Sequence, residues 1–515
     1  MVTISGPSTV PGELLDAFWR YDAALLSNDR ETLDGLFAPG PETVRGDGTT
    51  LQVGHDAIAE FRSGRARIPT RRVVHLHARP VDADAVLLMA RTQDGPSTGL
   101  QTQLWQRIDG QWLVTAAHVS LPAAPVPFDS TVWRMVGDPL LEPTALGPLD
   151  GLGVAVKDLF AVAGHRVGGG VPAWLAEQSP VDKSAPAVAA LLDAGAHVVG
   201  IARTDEFAYS LAGTNVHYGT PPNPAAPGGV SGGSSSGPAS AVALRHAAIG
   251  LGTDTGGSVR VPASYQGLVG LRTTHGAVST DGVLPLARSF DTVGWLTRDI
   301  ATAATVAAVL LPGSDMRPRR TLRIPTIEAL ARADVRHALA VEIDRLTETD
   351  ALPAVEDIDL PESLLEQWFT AFRTVQGWEA WQAHGEWIAN HPGALGSYIA
   401  ERFATASRIT EAEMLAARDV VAQARDCISG WLADSVLVIP AAFGPALPRT
   451  AGPERTDAER GATLRMTCLA GLCGAPALSL PLLHTADGPV GLCLVSARGT
   501  DRGLLNVAAR IGVNR

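Results

Sequence analysis

Between residues 152 and 254 the chain alternates apolar runs with helical periodicity and glycine stops. "LGVAVKDLF" (152–160) has the pattern of a buried strand. "SAPAVAALLDAGAHVVGIART" (184–204) reads as helix, Gly stop, then strand, and residues 238–252 repeat that helix-then-strand order. Strands apolar on both faces must be covered on both faces. The alternation therefore predicts helices packed on either side of a mostly parallel sheet, an α/β architecture. The chain can supply the core this needs, because 46% of its residues are hydrophobic and only 18% are charged. At 515 residues it is long enough for several domains, on a prior of ~150 residues each.

The text before residue 151 is different. Residues 11–37 read as helix: Pro11 suits a first helical position, and Leu14, Leu15, Phe18, Tyr21 and Leu25 recur near a 3.6 period. "TVRGDG" (43–48) and a short helical pattern from Asp56 to Arg67 follow, then strand-like runs at 72–79, 85–92, 99–108 and 110–120, with Asp109-Gly110 as a hairpin turn. Helices followed by an antiparallel meander predict a small α+β domain over 1–122. The Pro-rich stretch 123–150 reads as linker and arm, and 151–515 as the main domain. Within it, residues 320–435 are more helical and hold the aromatic run "WFTAFRTVQGWEAWQAHGEW" (368–387). Trp368, Trp378, Trp381 and Trp387 there read either as core or as one wall of a substrate pocket.

Charge and cysteines narrow the setting. A net charge of −12 repels phosphate backbones, so no nucleic-acid partner is expected. Four cysteines, Cys427, Cys468, Cys473 and Cys493, make neither a disulfide framework nor a CxxC metal pair. No basic segment followed by an apolar core opens the chain, and the longest apolar run, near 301–312, is too short to span a bilayer. These features predict a cytoplasmic protein that needs no metal or other cofactor and no membrane.

"GGVSGGSSSGPAS" (228–240) on its own reads equally as a flexible linker. The next segment, "AIGLGTDTGGSVRVPAS" (248–264), runs from an apolar strand into a Gly-rich turn ending at Ser258. Successive N–H groups at such a turn converge on one point, which suits an oxyanion or a phosphate. A phosphate loop wants Lys after its glycines, and here Val259 and Arg260 follow Ser258. A serine at such a turn suits acyl transfer. It then needs a base. His217, His246 and His275 lie in the region, none in a recognisable nucleophile–base motif. Lysine occurs only at Lys157 and Lys183, against 41 Lys plus Arg. A buried lysine can lose its proton and arginine cannot. Lys157, inside an apolar strand, is the candidate base, the alternative being a lysine snorkelling at a strand end.

The stretch from Gly232 to Ala263 resembles the signature of the amidase signature family of serine hydrolases. "GVAVKDLF", "GLVGLRTTHGAVSTDGVLPLARSFDTVGWLTRD" and "LAGLCGAPALSLPL" are similar to family sequence as well, and the likeness spans roughly residues 130–515. "NVHYGTPPNPAAP", "GGSVRVPASYQG" and "HGEW" are nearest in wording to indole-3-acetamide hydrolases. The resemblance implies a twisted mixed sheet sandwiched by helices. It also implies a Ser–cis-Ser–Lys triad: Ser258 as nucleophile, Ser234 as bridging serine 24 residues earlier (258 − 234), and Lys157 as base. The amides of Thr255, Gly256, Gly257 and Ser258 would form the oxyanion hole, with Ser235, Asp254 and Arg260 supporting the loop. Three positions depart from the usual pattern without touching the triad: Ser236 for Gly, Gln266 for Cys and Arg272 for Lys. The implied activity is hydrolysis of a small carboxamide. Alternatives are hydrolysis of biuret-type ureides, an amidotransferase-like subunit, or a non-catalytic binding member.

"YDAALLSNDRETLDGLF", "TVRGDG", "AIAEFRSGR" and "WLVTAAHVSLP" resemble dicarboxyurea-hydrolase-like domains, which have the cone-shaped fold of nuclear transport factor 2. That likeness implies a homodimer formed through this domain and carries a possible second site to Tyr21 and Arg45. Leu100, in "GLQTQ", stands where the family commonly has Arg, which favours a scaffold over a second catalytic centre.

Overall fold

The computed structural model describes residues 3–6, 10–47, 50–63, 71–94, 97–120, 127–313, 316 and 318–512. They form two compact units, Met1–Pro125 and Val126–Arg515.

In the first unit the stretch 11–37 is two helices, Gly12–Ser27 and Arg30–Gly35. Asn28, in the left-handed conformation (φ 56°), ends the first, and the Asp29 side chain accepts the Thr32 N–H to start the second. A third helix, His55–Ser63, begins where its pattern begins, and the remainder of that pattern, 64–67, lies outside the described residues. The strands Arg72–Pro80, Ala85–Asp94, Ser97–Ile108 and Gln111–Ser120 pair antiparallel in chain order. Asp109 and Gly110 both take positive φ (51° and 81°) in the last turn, as a two-residue hairpin turn of the primed type requires. Thr3–Ser5, Val44–Asp47 and Leu51–Val53 complete a seven-stranded sheet. Leu14, Phe18 and Tyr21 of the first helix join Trp105 and Val114 of the sheet in one core.

The second unit is built on an eleven-stranded sheet. Its order is Val355–Asp357, Arg320–Arg323, Ser435–Pro440, Gly488–Val495, Ala477–Thr485, Val269–Arg272, Thr292–Thr297, Ile249–Asp254, Gly153–Lys157, His197–Ala202, Trp133–Leu141. The helix–strand alternation alone predicts a mostly parallel sheet and the family resemblance a mixed one; the sheet found is mixed. Gly153–Lys157 is parallel to both neighbours, His197–Ala202 and Ile249–Asp254, as the helix–strand alternation requires. A second parallel group lies at the other end, around Arg320–Arg323. Between them the pairs are antiparallel: the helix Arg260–Gln266 carries the chain from Ile249–Asp254 across to Val269–Arg272, and Thr292–Thr297 then returns antiparallel between those two strands. The arm before residue 150 also differs from its reading as linker. Trp133–Leu141 is an edge strand paired antiparallel with His197–Ala202, anchored by the fully buried Trp133. An edge position tolerates Pro139, which has no N–H to donate.

Helices cover the sheet, among them Pro186–Asp193, Ile300–Leu310, Glu362–Asn390, Glu411–Leu432 and Pro453–Cys473. In the aromatic run, Trp368 is buried and its ring lies 5.8 Å from that of Trp431. Trp387 meets Trp174 and Phe207 edge-on at 5.5 and 5.7 Å. Both are packing contacts. All four cysteines are free thiols, and Cys468, Cys473 and Cys493 are buried.

Candidate active site

Lys157 is the last residue of its strand, the middle one of three adjacent parallel strands, at their carboxyl ends, where crevices form in open α/β sheets. Its side chain is fully buried. Nζ donates to Ser234 Oγ at 2.9 Å and to Thr253 Oγ1 at 2.8 Å. Burial disfavours the ammonium and pushes its pKa down to about 7, while the more distant carboxylates of Asp205, Asp254 and Asp291 oppose the shift. The lysine is therefore an amine in ready exchange with its charged form at neutral pH.

Ser234 lies on the Gly/Ser loop just before the helix Ser236–Ala243. The Gly233–Ser234 peptide is cis. Neighbours fix the loop at several points. Thr204 donates to the Ser234 carbonyl at 2.8 Å, and the Ser236 hydroxyl to Asp205 at 3.1 Å. A Cβ at Gly233 would collide with the Asp205 carboxylate, so that position admits no side chain. Ser235 faces the other way. Its hydroxyl meets the Thr253 carbonyl at 3.2 Å, and its N–H donates to the Ser258 carbonyl at 3.1 Å. This last bond ties the two Gly-rich segments together.

Ser258 sits on the turn between the strand Ile249–Asp254 and the helix Arg260–Gln266, and is 3% exposed. Asp254 organises this turn. Its carboxylate accepts the N–H groups of Gly257 (2.9 Å) and Val259 (3.1 Å), and meets Arg260 at 2.8 Å and Arg272 at 3.1 Å. Burial alone would raise its pKa; the two guanidinium charges outweigh burial and hold it well below the usual carboxylate range. Arg260 also donates to the Thr467 carbonyl at 2.9 Å, and Arg272 to the Phe290 carbonyl at 2.9 Å. Gly257 has φ 125°, open in practice only to glycine. Thr255 donates to Asp291 at 2.6 Å, and the Gly256 carbonyl accepts from Thr467 at 2.6 Å. Burial pushes Asp291 and Asp205 up to about 6 each.

Two of the three histidines considered from sequence are engaged elsewhere. His217 meets Glu206 at 3.1 Å and His275 the Arg288 carbonyl at 2.8 Å. Among the described residues none of the three is hydrogen-bonded to Ser258.

A family model described as Amidase matches residues 140–353, and one described as AtzH-like matches residues 3–124. "Amidase 1" of Arabidopsis thaliana is 36% identical over 70% of this chain and 92% of its own length. "Amidase 1" of Oryza sativa subsp. japonica is 37% identical over 71% and 90%. This chain belongs to the amidase signature family. A solved structure titled "Crystal structure of amidase" superposes with a TM-score of 0.65 at 28% identity, covering 74% of this chain and 92% of that one.

As an amidase signature hydrolase with an AtzH-like unit, the chain acts on amide C–N bonds. Its expected cytoplasmic placement does not stand. "Translocon at the outer membrane of chloroplasts 64" of Pisum sativum is 32% identical over 71% of this chain and 66% of its own length. "Outer envelope protein 64, mitochondrial" of Arabidopsis thaliana matches at 29% over 70% and 64%. The amidase module thus occurs in proteins named for organelle envelopes. Free thiols and short apolar runs describe how this module packs, not where it resides. No helix among the described residues is long and apolar enough to cross a membrane.

In the amidase's AtzH-like unit, Tyr21 is buried against Phe37 and Trp105, with ring centroids 6.2 and 6.3 Å away. Arg45, also buried, donates to Gln52 at 3.0 Å and lies over the Phe61 ring at 4.3 Å. Sequence reading missed two residues of the main site, Thr253 and Asp205. Thr253 is the second acceptor for Lys157, and Asp205 the clamp on the Gly233–Ser236 loop. Thr253 meets Lys157 through the pairing of Ile249–Asp254 with Gly153–Lys157, which only the folded sheet shows.

Proposed function

We propose that the large unit hydrolyses a small carboxamide to a carboxylate and ammonia or an amine through an acyl-enzyme on Ser258. The observation that carries this reading is the fully buried Lys157 amine, with its pKa near 7, 2.9 Å from the Ser234 hydroxyl. The neutral amine accepts the Ser234 proton as Ser234 takes the proton of Ser258, and Ser258 Oγ bonds to the amide carbon. The amides of Thr255, Gly256 and Ser258 receive the developing oxyanion. The Gly257 amide is already donated to Asp254, so its part is to hold the turn. The lysine proton returns through Ser234 to the leaving nitrogen as the C–N bond breaks. Water then attacks the ester, giving up its proton along the same relay, and Ser258 is released with the carboxylate product.

Arginine at 157 would remain charged and could not start this sequence. The relatives named amidase support the amide class. The AtzH-like unit favours the ureide alternative. So does the structure titled "An unexpected vestigial protein complex reveals the evolutionary origins of an s-triazine catabolic enzyme", at TM-score 0.64 and 26% identity over 71% of this chain and 84% of that one.

The test is ammonia release from indole-3-acetamide, aliphatic amides, aryl amides and biuret-type ureides, with intact mass measured for an acyl adduct. Turnover lost in Ser258→Ala is expected. No turnover of any of them, with Ser258→Ala indistinguishable from the parent, would sink the reading.

A further inference from the structure

Three carboxylates face the buried Lys157 amine, those of Asp205, Asp254 and Asp291. Two are committed elsewhere. Asp254 is neutralised by Arg260 and Arg272. Asp291 accepts the Thr255 hydroxyl and, at 2.9 and 3.0 Å, the amides of Leu286 and Ala287, so it ties a neighbouring loop to the turn that carries Ser258. Asp205 differs from both. It is fully buried, and among the described residues the cation that acts on it is Lys157.

Both oxygens of Asp205 are turned toward the loop that carries Ser234. Oδ2 accepts the Gly213 N–H at 3.0 Å, and Oδ1 accepts the Ser236 hydroxyl at 3.1 Å. Oδ2 also abuts Gly233, where a Cβ would collide with it. The next residue is Ser234, whose Oγ accepts from Lys157 at 2.9 Å. Strand register brings the same groups together. Lys157 ends its strand opposite Ala202, three residues (205 − 202) before Asp205, and Thr204 donates to the Ser234 carbonyl at 2.8 Å. Ser236 is one of the positions where the chain departs from the usual pattern, which has Gly. Glycine supplies no hydroxyl, so the bond from residue 236 to Asp205 comes with that departure. Ser236 is itself buried.

When Lys157 takes the Ser234 proton, an ammonium forms away from water, which is costly unless an opposite charge is near. A carboxylate in direct contact would keep the lysine protonated throughout; one set back beyond Gly233 lowers the cost of the charge and still lets the proton leave. We infer that Asp205, held by Ser236 and the Gly213 amide, is a positioning residue of the reaction: it fixes the loop bearing Ser234 and steadies the ammonium that Lys157 becomes. This rests on the acyl-enzyme reading above. Burial raises Asp205 to about 6, against the Gly213 amide, the Lys157 charge and the Ser236 hydroxyl, so it is a carboxylate at neutral pH.

The experiment reads Lys157 directly. Lysine occurs only at 157 and 183, so the full chain carrying Lys183→Arg and lysine isotope-labelled at Cε gives one NMR signal that titrates with Lys157. Asp205→Asn removes a negative charge facing the lysine, which favours the neutral amine. Its midpoint should therefore fall from about 7, by about one pH unit or more. The rising limb of kcat/KM should move to lower pH with it, and the plateau should drop by about tenfold. Ser236→Gly takes away one donor that keeps Asp205 ionised, so it should move the midpoint the same way by less, and it decides the matter if Asp205→Asn does not fold. A lower rate with an unmoved midpoint makes Asp205 a packing residue and overturns the inference. A midpoint that falls as expected in a chain that turns over no amide keeps the Asp205–Lys157 pair and removes the hydrolase reading. Amide turnover with an unmoved midpoint does the reverse.

Discussion

Two regions of the large unit bury cationic side chains, and they do so under opposite conditions. Around Asp254, Arg260 and Arg272 converge on one carboxylate that also accepts the amides of Gly257 and Val259. Each charge there meets its opposite, and the result is a rigid turn carrying Ser258. Around Lys157 the partners are hydroxyls, Ser234 Oγ and Thr253 Oγ1, and the carboxylates of Asp205, Asp254 and Asp291 act only from further off. Burial without a carboxylate in contact pushes the lysine down to about 7, so the amine can lose its proton. Full pairing thus marks the residues that hold the loop still, and incomplete pairing marks the group able to exchange a proton.

The largest expected effect tests whether the rigid turn is the reacting centre. Ser258→Ala should lower ammonia release by about 10⁴-fold or more, as loss of a nucleophile does elsewhere. A loss below tenfold would make the turn structural only. Next, Lys157→Ala should cost about 10²–10⁴-fold near pH 7, with a smaller deficit at high pH, where hydroxide replaces the amine. In the parent, kcat/KM should rise with pH through the Lys157 pKa of about 7, because burial lowers it and the neutral amine is the working form. Equal loss at all pH values in the variant would assign Lys157 to packing.

Stability sharpens the contrast further. Asp254→Asn leaves Arg260 and Arg272 without their counterion and should cost about 3–5 kcal/mol in denaturant unfolding. Lys157→Met removes an amine held only by the hydroxyls of Ser234 and Thr253, so the same measurement should show a smaller loss. Equal destabilisation by the two variants would mean that the two regions are not opposites. The smallest effect belongs to the first unit. Tyr21 packs between Phe37 and Trp105, so Tyr21→Phe should leave amide hydrolysis by the full chain unchanged. A clear drop in kcat would bring that unit into the reaction.

Much of this is legible in the residues. Lys157 stands out because lysine is so rare here, and because its strand is apolar on both sides. The meander of the first unit reads clearly because its strands are consecutive, joined by turns such as Asp109-Gly110 whose conformation is local. The antiparallel middle of the large sheet did not read clearly, since it depends on Arg272 pairing with Ala477, across a separation no local pattern records. Trp133–Leu141 was missed because Gly137 and Pro139 mask strand periodicity, and an edge strand does not need that periodicity on both faces.

The residues alone establish which groups are present and locally compatible: a lysine in a buried strand, two Gly/Ser turns at a set interval, and the helix–strand alternation that carries them. Those are short-range properties, governed by backbone freedom, periodicity and charge type. Which charges are paired comes from the tertiary structure. Arg260 and Lys157 are both fully buried cations. One lies against Asp254 six positions away, and the other meets only the hydroxyls of Ser234 and Thr253, 77 and 96 residues further along the chain. Whether a buried charge is neutralised depends on every group within a few ångströms, and the fold assembles those groups from distant segments.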